Sequence, residues 1–376
     1  MVFVRSLLSA VLAAFSLVEL TTAHTHHLPG SPEAIKRDLF QKNARRSLAN
    51  CQDELSKRGG IYEKSVARRQ QFARDVRSAR GLSTHAPYKR DLGTVLNTDH
   101  HSNLTGVTNN TDPFTLFTGN SSCVLGPETT EGPYYVDGEY VRFDVRDDQQ
   151  GADTYVELQF IDVNACEPVP GIYVDFWHAN ATGVYSGVVA SGNGDSDDGS
   201  NLDSTFCRGL QETDEDGVIQ FLSIFPGHYT GRAIHIHLAA HQDGTFFSNN
   251  TFVSSNVSHV GQIFFDQSLI DAVEATSPYT SNTQNLTVNS DDDILAEEAG
   301  TIDPFVEYVY LGDDISDGIF SWIALGIDTT SSYQISAAST LTEDGGVANP
   351  NAGGPPGSMP PGPSGSAVSS AVSSAA

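Results

Sequence analysis

One short stretch of the chain alternates two kinds of side chain so regularly that it constrains the local fold. Ile234, Ile236 and Leu238 alternate with His235 and His237. A period of two predicts a β-strand whose aliphatic side chains fill a core on one face, while both imidazoles point to the other face. Two histidines on one face can share a metal ion, and the alternative for such a pair alone is a solvated surface.

Two residues just before the strand favour the metal site. Tyr229 follows the turn signal Pro226-Gly227, and its phenol can fold back over the histidine face. Arg232 suggests a site that receives an anion, and a tyrosine ligand is typical of a hard, highly charged metal. A second tyrosine, Tyr185, lies upstream after a predicted strand and a glycine-containing turn.

The two stretches together resemble the intradiol ring-cleavage dioxygenases, whose signature is a W-x-A-[DN]-x-x-G-x-Y segment followed by Y…R-x-x-H-I-H. The matching residues are Trp177, Ala179, Asn180, Gly183, Tyr185, Tyr229, Arg232, His235 and His237. The resemblance covers residues 123–265, and the short connection from the second tyrosine to the histidines is similar to the secreted fungal branch. It implies a non-haem Fe(III) ion with four protein ligands, namely Tyr185, Tyr229, His235 and His237.

The resemblance also implies a reaction. A small aromatic diol and O2 would be the partners, and the ring would be cleaved between its two hydroxylated carbons to a muconate-type diacid that takes up both oxygen atoms. Arg232 would stabilise negative charge on the ring, and Gln262 would orient that arginine. Tyr134 would either line the substrate pocket or be a core aromatic at a strand entry. Tyr229 would leave the metal when substrate binds, because glycines flank it.

The spacing of short apolar segments predicts the fold class. We expect an all-β protein with an antiparallel β-sandwich core, a helical N-terminal segment and a disordered C-terminal tail. The domain would span residues 91–341, and the Gly/Pro/Ser-rich tail residues 342–376. The predicted strands are 155–163, 172–179, 218–224, 233–240, 262–265 and 320–327, with helices after Asp266 and near 294–299.

The N-terminal quarter differs from the rest in charge. All but four of the 20 Lys and Arg residues lie in the first 90 residues, whereas 40 of the 47 Asp and Glu residues follow. Residues 1–23 predict a signal peptide, so we expect a secreted, extracellular protein without nucleic-acid or membrane partners. Residues 24–90 predict a basic helical segment. It is either a pro-segment, since dibasic pairs are typical of processing sites, or a retained arm that packs on the sandwich or makes a homodimer.

Sequons and cysteines bear on the same expectation of secretion. The N-x-[ST] sequons predict a glycoprotein and begin at Asn103, Asn109, Asn120, Asn180, Asn249, Asn256 and Asn285. The four cysteines are Cys51, Cys123, Cys166 and Cys207, which allow three complete pairings. A disulfide from Cys51 would tether the basic segment to the domain.

Two other interpretations are open from the sequence, and a third is excluded. His24 would become the N-terminal residue after cleavage of the signal peptide and suggests a copper site. A sandwich binding module could keep the His and Tyr cluster as a vestigial metal site. An EF-hand in the acidic loop 192–204 fails, because Asp198 occupies the position that requires glycine and no glutamate closes the loop.

Overall fold

The computed structural model describes Cys51, Leu55 and residues 60–82, 122–124, 132–190, 192–194, 197–254, 256–299 and 303–350. Several predictions therefore lie outside the described residues. These are the signal peptide, His24, the dibasic pairs Lys57-Arg58 and Lys89-Arg90, the first three sequons and the tail after residue 350. Among the described residues, no helix is both long and apolar enough to span a membrane.

Most of the regular secondary structure in the described chain is β-strand, and each predicted strand and helix overlaps an observed element. The helices are α1 Ile61–Ala79, α2 Gln267–Glu274 and α3 Asp293–Ala299. In chain order the strands are β1 Ser122–Val124, β2 Val136–Asp137, β3 Glu139–Tyr140, β4 Asp153–Asp162, β5 Glu167–Pro168, β6 Tyr173–Trp177, β7 Arg208–Glu212, β8 Val218–Ile224, β9 His235–His241, β10 Thr245–Phe246, β11 Thr251–Val253, β12 Asn256–Val257, β13 His259–Phe264, β14 Glu307–Tyr310, β15 Ile319–Ile327, β16 Tyr333–Gln334, β17 Ser339–Thr342 and β18 Gly345–Ala348.

Two larger sheets form the sandwich. One contains β1, β15, β4 and β5 in that order, with β14 paired to β15 and β8 paired to β4, and the other has the order β13-β9-β6-β7. Aliphatic and aromatic side chains from both sheets fill a common core, among them Val156, Leu158, Phe160, Ile219, Phe221, Ile234 and Ile236. Ile234 and Ile236 are among the residues that the alternation with His235 and His237 predicts to face the core. The all-β sandwich with an N-terminal helix is therefore confirmed.

The first sheet differs from a purely antiparallel one, because β15 runs parallel to both β1 and β4. Parallel strands need a long crossover connection, and more than 150 residues separate β4 from β15. Alternation within a strand defines which face is buried but not the direction of its neighbour. The antiparallel pairing expected of the sandwich core therefore does not extend to β15 and its neighbours β1 and β4.

The C-terminal boundary also differs from the prediction. Residue 341 lies inside a hairpin formed by β17 and β18, which pairs through β17 with β2. The glycines that suggest disorder make this hairpin. Gly345 has φ 109°, and a Cβ atom on Gly346 would lie 1.8 Å from the backbone oxygen of Leu202. The ordered domain therefore continues past residue 341 to at least β18.

Helix α1 covers the outer face of the six-stranded sheet. Ala73 and Val76 pack in one cluster with Leu222, Phe320 and Trp322. Cys51, which precedes α1, forms a disulfide with Cys166 after β4. These contacts are those of an arm that packs on the sandwich, and they explain why β4 is buried on both faces. Whether residues 24–90 are removed stays a prediction, and any cleaved fragment would remain attached through Cys51.

A buried ion pair joins this helix to the sheet. Arg69 Nε lies 2.7 Å from Glu157 Oε1, Arg68 Nη2 lies 3.2 Å from the same oxygen, and the Glu157 side chain is fully buried. Burial alone would raise the pKa of Glu157, but the attraction of Arg69 and Arg68 outweighs it and lowers the pKa. The charged pair therefore stabilises the fold above the ordinary glutamate pKa of about 4.3. That stability is lost as the pH falls through the lowered pKa of the folded chain.

Glu157→Gln should therefore reduce the free energy of unfolding at pH 7 by about 3 kcal/mol, because the buried arginines lose their counter-charge. Urea unfolding at pH 7 and at pH 3 measures the effect, and the difference from the parent should shrink at pH 3. Asp216→Asn is the matched control, since Asp216 makes a longer, more exposed contact with Arg68 and should contribute less than about 1 kcal/mol. A difference between Glu157→Gln and the parent that is equal at both pH values would contradict the ion-pair explanation.

Candidate metal centre

Strand β9 brings the two predicted histidines to the middle of the second sheet. His237 lies opposite Gln262 on β13 and opposite Trp177 on β6. The Trp177 ring stacks on the His237 ring with 4.9 Å between centroids and 4° between planes, which fixes the orientation of the imidazole. His235 and His237 are buried, and their Nε2 atoms lie 3.0 Å apart.

Both predicted tyrosines converge on this pair. The hydroxyl oxygens of Tyr185 and Tyr229 each lie 3.4 Å from His235 Nε2. Ligand atoms held at right angles about 2.1 Å from one metal ion are about 3 Å apart, so the spacing of the two nitrogens and two oxygens fits a shared ion. No group of three or more His, Cys, Asp or Glu side chains among the described residues is placed so that it could hold a metal ion. The metal ligands that this part of the chain offers are therefore two imidazoles and two phenols.

The loop after β6 holds Tyr185 rigidly. The side chain of Asn193 accepts from the Tyr185 N–H at 2.8 Å and donates to the Tyr185 carbonyl at 2.8 Å, and Asn201 Nδ2 donates to the same carbonyl. Gly183 has φ 79°, and a Cβ atom there would lie 2.2 Å from the His228 carbonyl oxygen. Asn193 and Asn201 lie in the acidic loop, where no sequence motif distinguished them from solvated turn residues.

The segment that carries Tyr229 has a freer end. Gly231 has φ 94°, and the space around its missing Cβ is open to at least 4 Å. Gly227 is different, because a Cβ there would lie 2.3 Å from the backbone oxygen of Asn180. The sequence suggested that both flanking glycines act as hinges. The structure assigns that freedom to Gly231 alone, whereas Gly227 is required for close backbone packing.

Burial controls the protonation of Tyr185, Tyr229 and His235. Burial raises the pKa of the Tyr185 phenol, and burial together with the neighbouring Tyr185 raises that of Tyr229. Burial and the charge of Arg232 lower the pKa of His235, which keeps the imidazole neutral and able to bind a cation. The phenols ionise readily only when a strong positive charge compensates them, as a trivalent metal ion does.

Arg232 is held beside the cluster by two partners. Its Nε donates to Asp292 Oδ2 at 2.9 Å, and its Nη2 donates to Gln262 Oε1 at 2.6 Å, as the predicted role of Gln262 requires. Asp292 also accepts the N–H of Ala233, at 2.7 Å, and its other oxygen accepts two N–H groups at the start of α3. Burial raises the pKa of Asp292, but the charge of Arg232 outweighs it, so the pKa is lowered and the carboxylate stays ionised.

Sequence reasoning missed Asp292, although its place before a predicted helix is typical of an N-cap. Asp292→Asn should reduce kcat about 10- to 100-fold, because the amide cannot accept all the N–H groups that meet the carboxylate. Iron content should stay unchanged. Steady-state kinetics with iron analysis measure both, and Asp293→Asn, one residue on and exposed, is the matched control. Unchanged kcat in Asp292→Asn would remove Asp292 from the site.

Tyr134 is a core aromatic beside the metal cluster, and its place in a substrate pocket stays a prediction. It is buried, and its ring stacks on Tyr185 with centroids 4.7 Å apart and meets Tyr229 edge-on at 6.2 Å. Arg208 Nη2 donates to the Tyr134 carbonyl, and Arg208 Nε donates to the Ser186 carbonyl at 2.9 Å, so this buried guanidinium links the two segments. Within the described part of the chain, the Tyr134 hydroxyl, Arg232 Nη1 and Gln262 Nε2 are buried without a hydrogen-bond partner. These groups can bind a polar ligand beside the metal cluster.

Comparison with known proteins bears on the whole of this centre. The sequence profile of a family described as Dioxygenase matches residues 126–265, which include every predicted site residue. An intradiol ring-cleavage dioxygenase from Tetranychus urticae is 31% identical over 55% of this chain and 95% of that chain, with a TM-score of 0.44. The chain belongs to the intradiol ring-cleavage dioxygenase family.

Other solved dioxygenases are more distant. The dioxygenase domain of a dioxygenase carbohydrate-binding protein fusion from Streptomyces sp. SirexAA-E is 21% identical, covering 54% of this chain and 97% of that chain, with a TM-score of 0.33. Catechol 1,2-dioxygenase from Pseudomonas arvilla C-1 is 19% identical, covering 55% of this chain and 61% of that chain, with a TM-score of 0.30. No curated protein matches the chain. As an intradiol ring-cleavage dioxygenase, the protein is an oxidoreductase and not a binding module alone.

Proposed function

We propose that this dioxygenase holds one Fe(III) ion through Tyr185, Tyr229, His235 and His237 and cleaves catechol-type rings between the two hydroxylated carbons. The observation that carries the proposal is the convergence of two phenol oxygens and two imidazole nitrogens at 3.0 and 3.4 Å in a buried site. Phenolate oxygen favours a hard trivalent ion, and these ligands fit Fe(III) better than a softer metal. When bound by these four side chains, Fe(III) would supply the Lewis-acid chemistry that makes a catechol ring reactive toward O2.

The side chains of the site would perform separate tasks. Tyr229 would be the ligand that gives way to substrate, and its phenolate oxygen would accept a proton from the incoming catechol. Arg232 would stabilise negative charge that develops on the ring, which requires no proton transfer from the guanidinium. Asp292 and Gln262 hold Arg232 in place, and Tyr134 offers a hydroxyl to a ring substituent. Catechol and O2 would be converted to a muconate-type diacid that contains both oxygen atoms.

We also propose that the enzyme acts outside the cell. The predicted signal peptide and the sequons support this, and so does the Cys51–Cys166 disulfide, because structural disulfides persist in oxidising compartments. We propose a plant- or lignin-derived catechol as its substrate, which would give the enzyme an extracellular catabolic role.

Metal analysis tests the proposed function. The purified protein should contain about one iron per chain and show a broad visible absorption from charge transfer between phenolate and Fe(III). Removal of iron should bleach the band, and addition of iron should restore it together with catechol cleavage. A colourless protein that contains zinc and is active would contradict the proposal.

A further inference from the structure

A tight hairpin turn joins β10 to β11, far along the sequence from the metal ligands. Phe247 N–H donates to the Thr251 carbonyl at 2.9 Å, Asn250 N–H donates to the Phe247 carbonyl at 3.1 Å, and Asn250 has φ 66°. This is a three-residue loop in which a type I turn is followed by one left-handed residue. Phe247 and Thr251 therefore lie directly opposite each other, with their side chains on one face of the hairpin.

The loop contains the sequon Asn249-Asn250-Thr251. Asn249 Oδ1 accepts from the Thr251 N–H at 3.2 Å and from Thr251 Oγ1 at 2.8 Å, so the Asn249 side chain is held over the face that Phe247 shares. Asn249 Nδ2, the atom to which a glycan is attached, makes no hydrogen bond in the described part of the chain. The turn therefore leaves the acceptor nitrogen without a hydrogen bond among the described residues, on a residue two positions after an exposed phenylalanine.

The exposure of Phe247 supplies the second observation. Its side chain is 46% exposed, and it makes no ring contact among the residues that the structure describes. The adjacent Phe246 is exposed to a similar degree but packs against Tyr173 and Phe252 at 5.0 and 5.1 Å between centroids. When another group covers an exposed aromatic ring, apolar surface is removed from water, and this stabilises the folded protein.

We propose that Asn249 carries an N-linked glycan whose first N-acetylglucosamine packs its C–H face on the Phe247 ring. In the transfer step, Nδ2 attacks the anomeric carbon of a lipid-pyrophosphate oligosaccharide. The new C–N bond forms, the bond from that carbon to the pyrophosphate oxygen breaks, and Nδ2 loses one proton to a base. The inference rests on the proposed passage through a secretory pathway.

The other described sequons lack this arrangement. Asn180 Nδ2 donates to Gln149 Oε1 at 2.9 Å, and its Oδ1 accepts from the N–H groups of Thr182 and Val184. The remaining two sequons begin at Asn256 and Asn285, which are exposed. Two residues before them the chain has a serine and a threonine, where Asn249 has Phe247. The combination of a free acceptor nitrogen, a matching turn and an aromatic neighbour belongs to Asn249.

A double-mutant cycle in the secreted full chain tests the contact. The chain would be produced in a glycosylating eukaryotic host behind an unrelated secretion leader, which makes the result independent of the predicted signal peptide. Glycopeptide mass spectrometry should find Asn249 occupied. Phe247→Ala and Asn249→Gln should each lower Tm by about 2–4 °C, and the double variant should lower it no further. Trimming the glycans to a single N-acetylglucosamine should leave Tm unchanged.

Asn285→Gln is the matched control, because it removes an exposed sequon without an aromatic neighbour, and its Tm should equal that of the parent. The proposal is overturned if Asn249 is unoccupied in the secreted protein, or if the effects of Phe247→Ala and Asn249→Gln add in the double variant. It is also overturned if Phe247→Ala lowers Tm equally in the Asn249→Gln background, since the ring would then act without the sugar.

Discussion

The Tyr185→Phe variant should lose its iron, whereas the Tyr229→Phe variant should keep much of it. Tyr185 is held through both backbone polar groups by Asn193 and Asn201, and its ring is fixed by Tyr134. Loss of this rigid ligand should weaken iron binding by more than about 100-fold, beyond the effect of losing an outer hydrogen-bond partner. Tyr229 sits beside Gly231, whose positive φ and open surroundings allow the segment to move. Its role would be to leave the metal.

Tyr229→Phe should therefore lose part of the visible band and bind catechol slowly, because phenylalanine cannot accept the catechol proton. Stopped-flow mixing with catechol without oxygen measures this binding, and a second mix with O2 measures the later step. Iron content by elemental analysis separates the two variants. If Tyr229→Phe forms the catechol complex at the parental rate, Tyr229 is not the tyrosine that leaves the metal.

Arg232→Met should reduce kcat by about 100- to 1,000-fold, because it removes a positive group aimed at the charge that develops on the ring. The iron content and the fold should be unchanged. The guanidinium is buried and held at 2.9 Å by Asp292 and at 2.6 Å by Gln262, so it does not have to reorganise during the reaction. The loss should exceed that of Asp292→Asn, which keeps the charge but loosens its position. Methionine has a similar length without the charge, which limits the change in packing.

Steady-state kinetics at several catechol concentrations check this prediction. We expect most of the loss in kcat, since the attraction between the Arg232 guanidinium and the ring strengthens as negative charge develops on the ring. A change confined to KM, with kcat within a few-fold of the parent, would show that Arg232 only binds substrate. Visible absorption that matches the parent in Arg232→Met serves as the control that the metal centre is intact.

The metal cluster could be predicted from sequence because its determinants are local. The alternation of His235 and His237 with isoleucines defines one strand face, and the segment around Trp177 supplies the neighbouring strand and the loop to Tyr185. These patterns extend over fewer than ten residues each. The structure then places all four side chains together, at the spacing that a single metal ion requires.

The parts that could not be predicted depend on contacts between distant segments. Asp292 lies 60 residues after Arg232 and meets it only because the start of α3 lies beside the segment that leads into β9. By sequence alone, Glu157 is a polar residue on a strand face that water could cover. In the structure, α1 packs on this face, and Arg68 and Arg69 contact the Glu157 carboxylate. The parallel pairing of β15 with β4 is likewise set by the path of the chain between them. Local pattern carries no information on such long-range pairing.

The most direct test of the central claim is a single turnover of the iron-loaded protein with catechol and ¹⁸O2, followed by mass spectrometry of the product. We expect cis,cis-muconate with one ¹⁸O in each of the two new carboxyl groups. This product forms only when the ring is cleaved between the two hydroxylated carbons. A semialdehyde product, which results from cleavage beside the diol, would contradict the assignment. So would a muconate that contains ¹⁸O from one atom of O2 only.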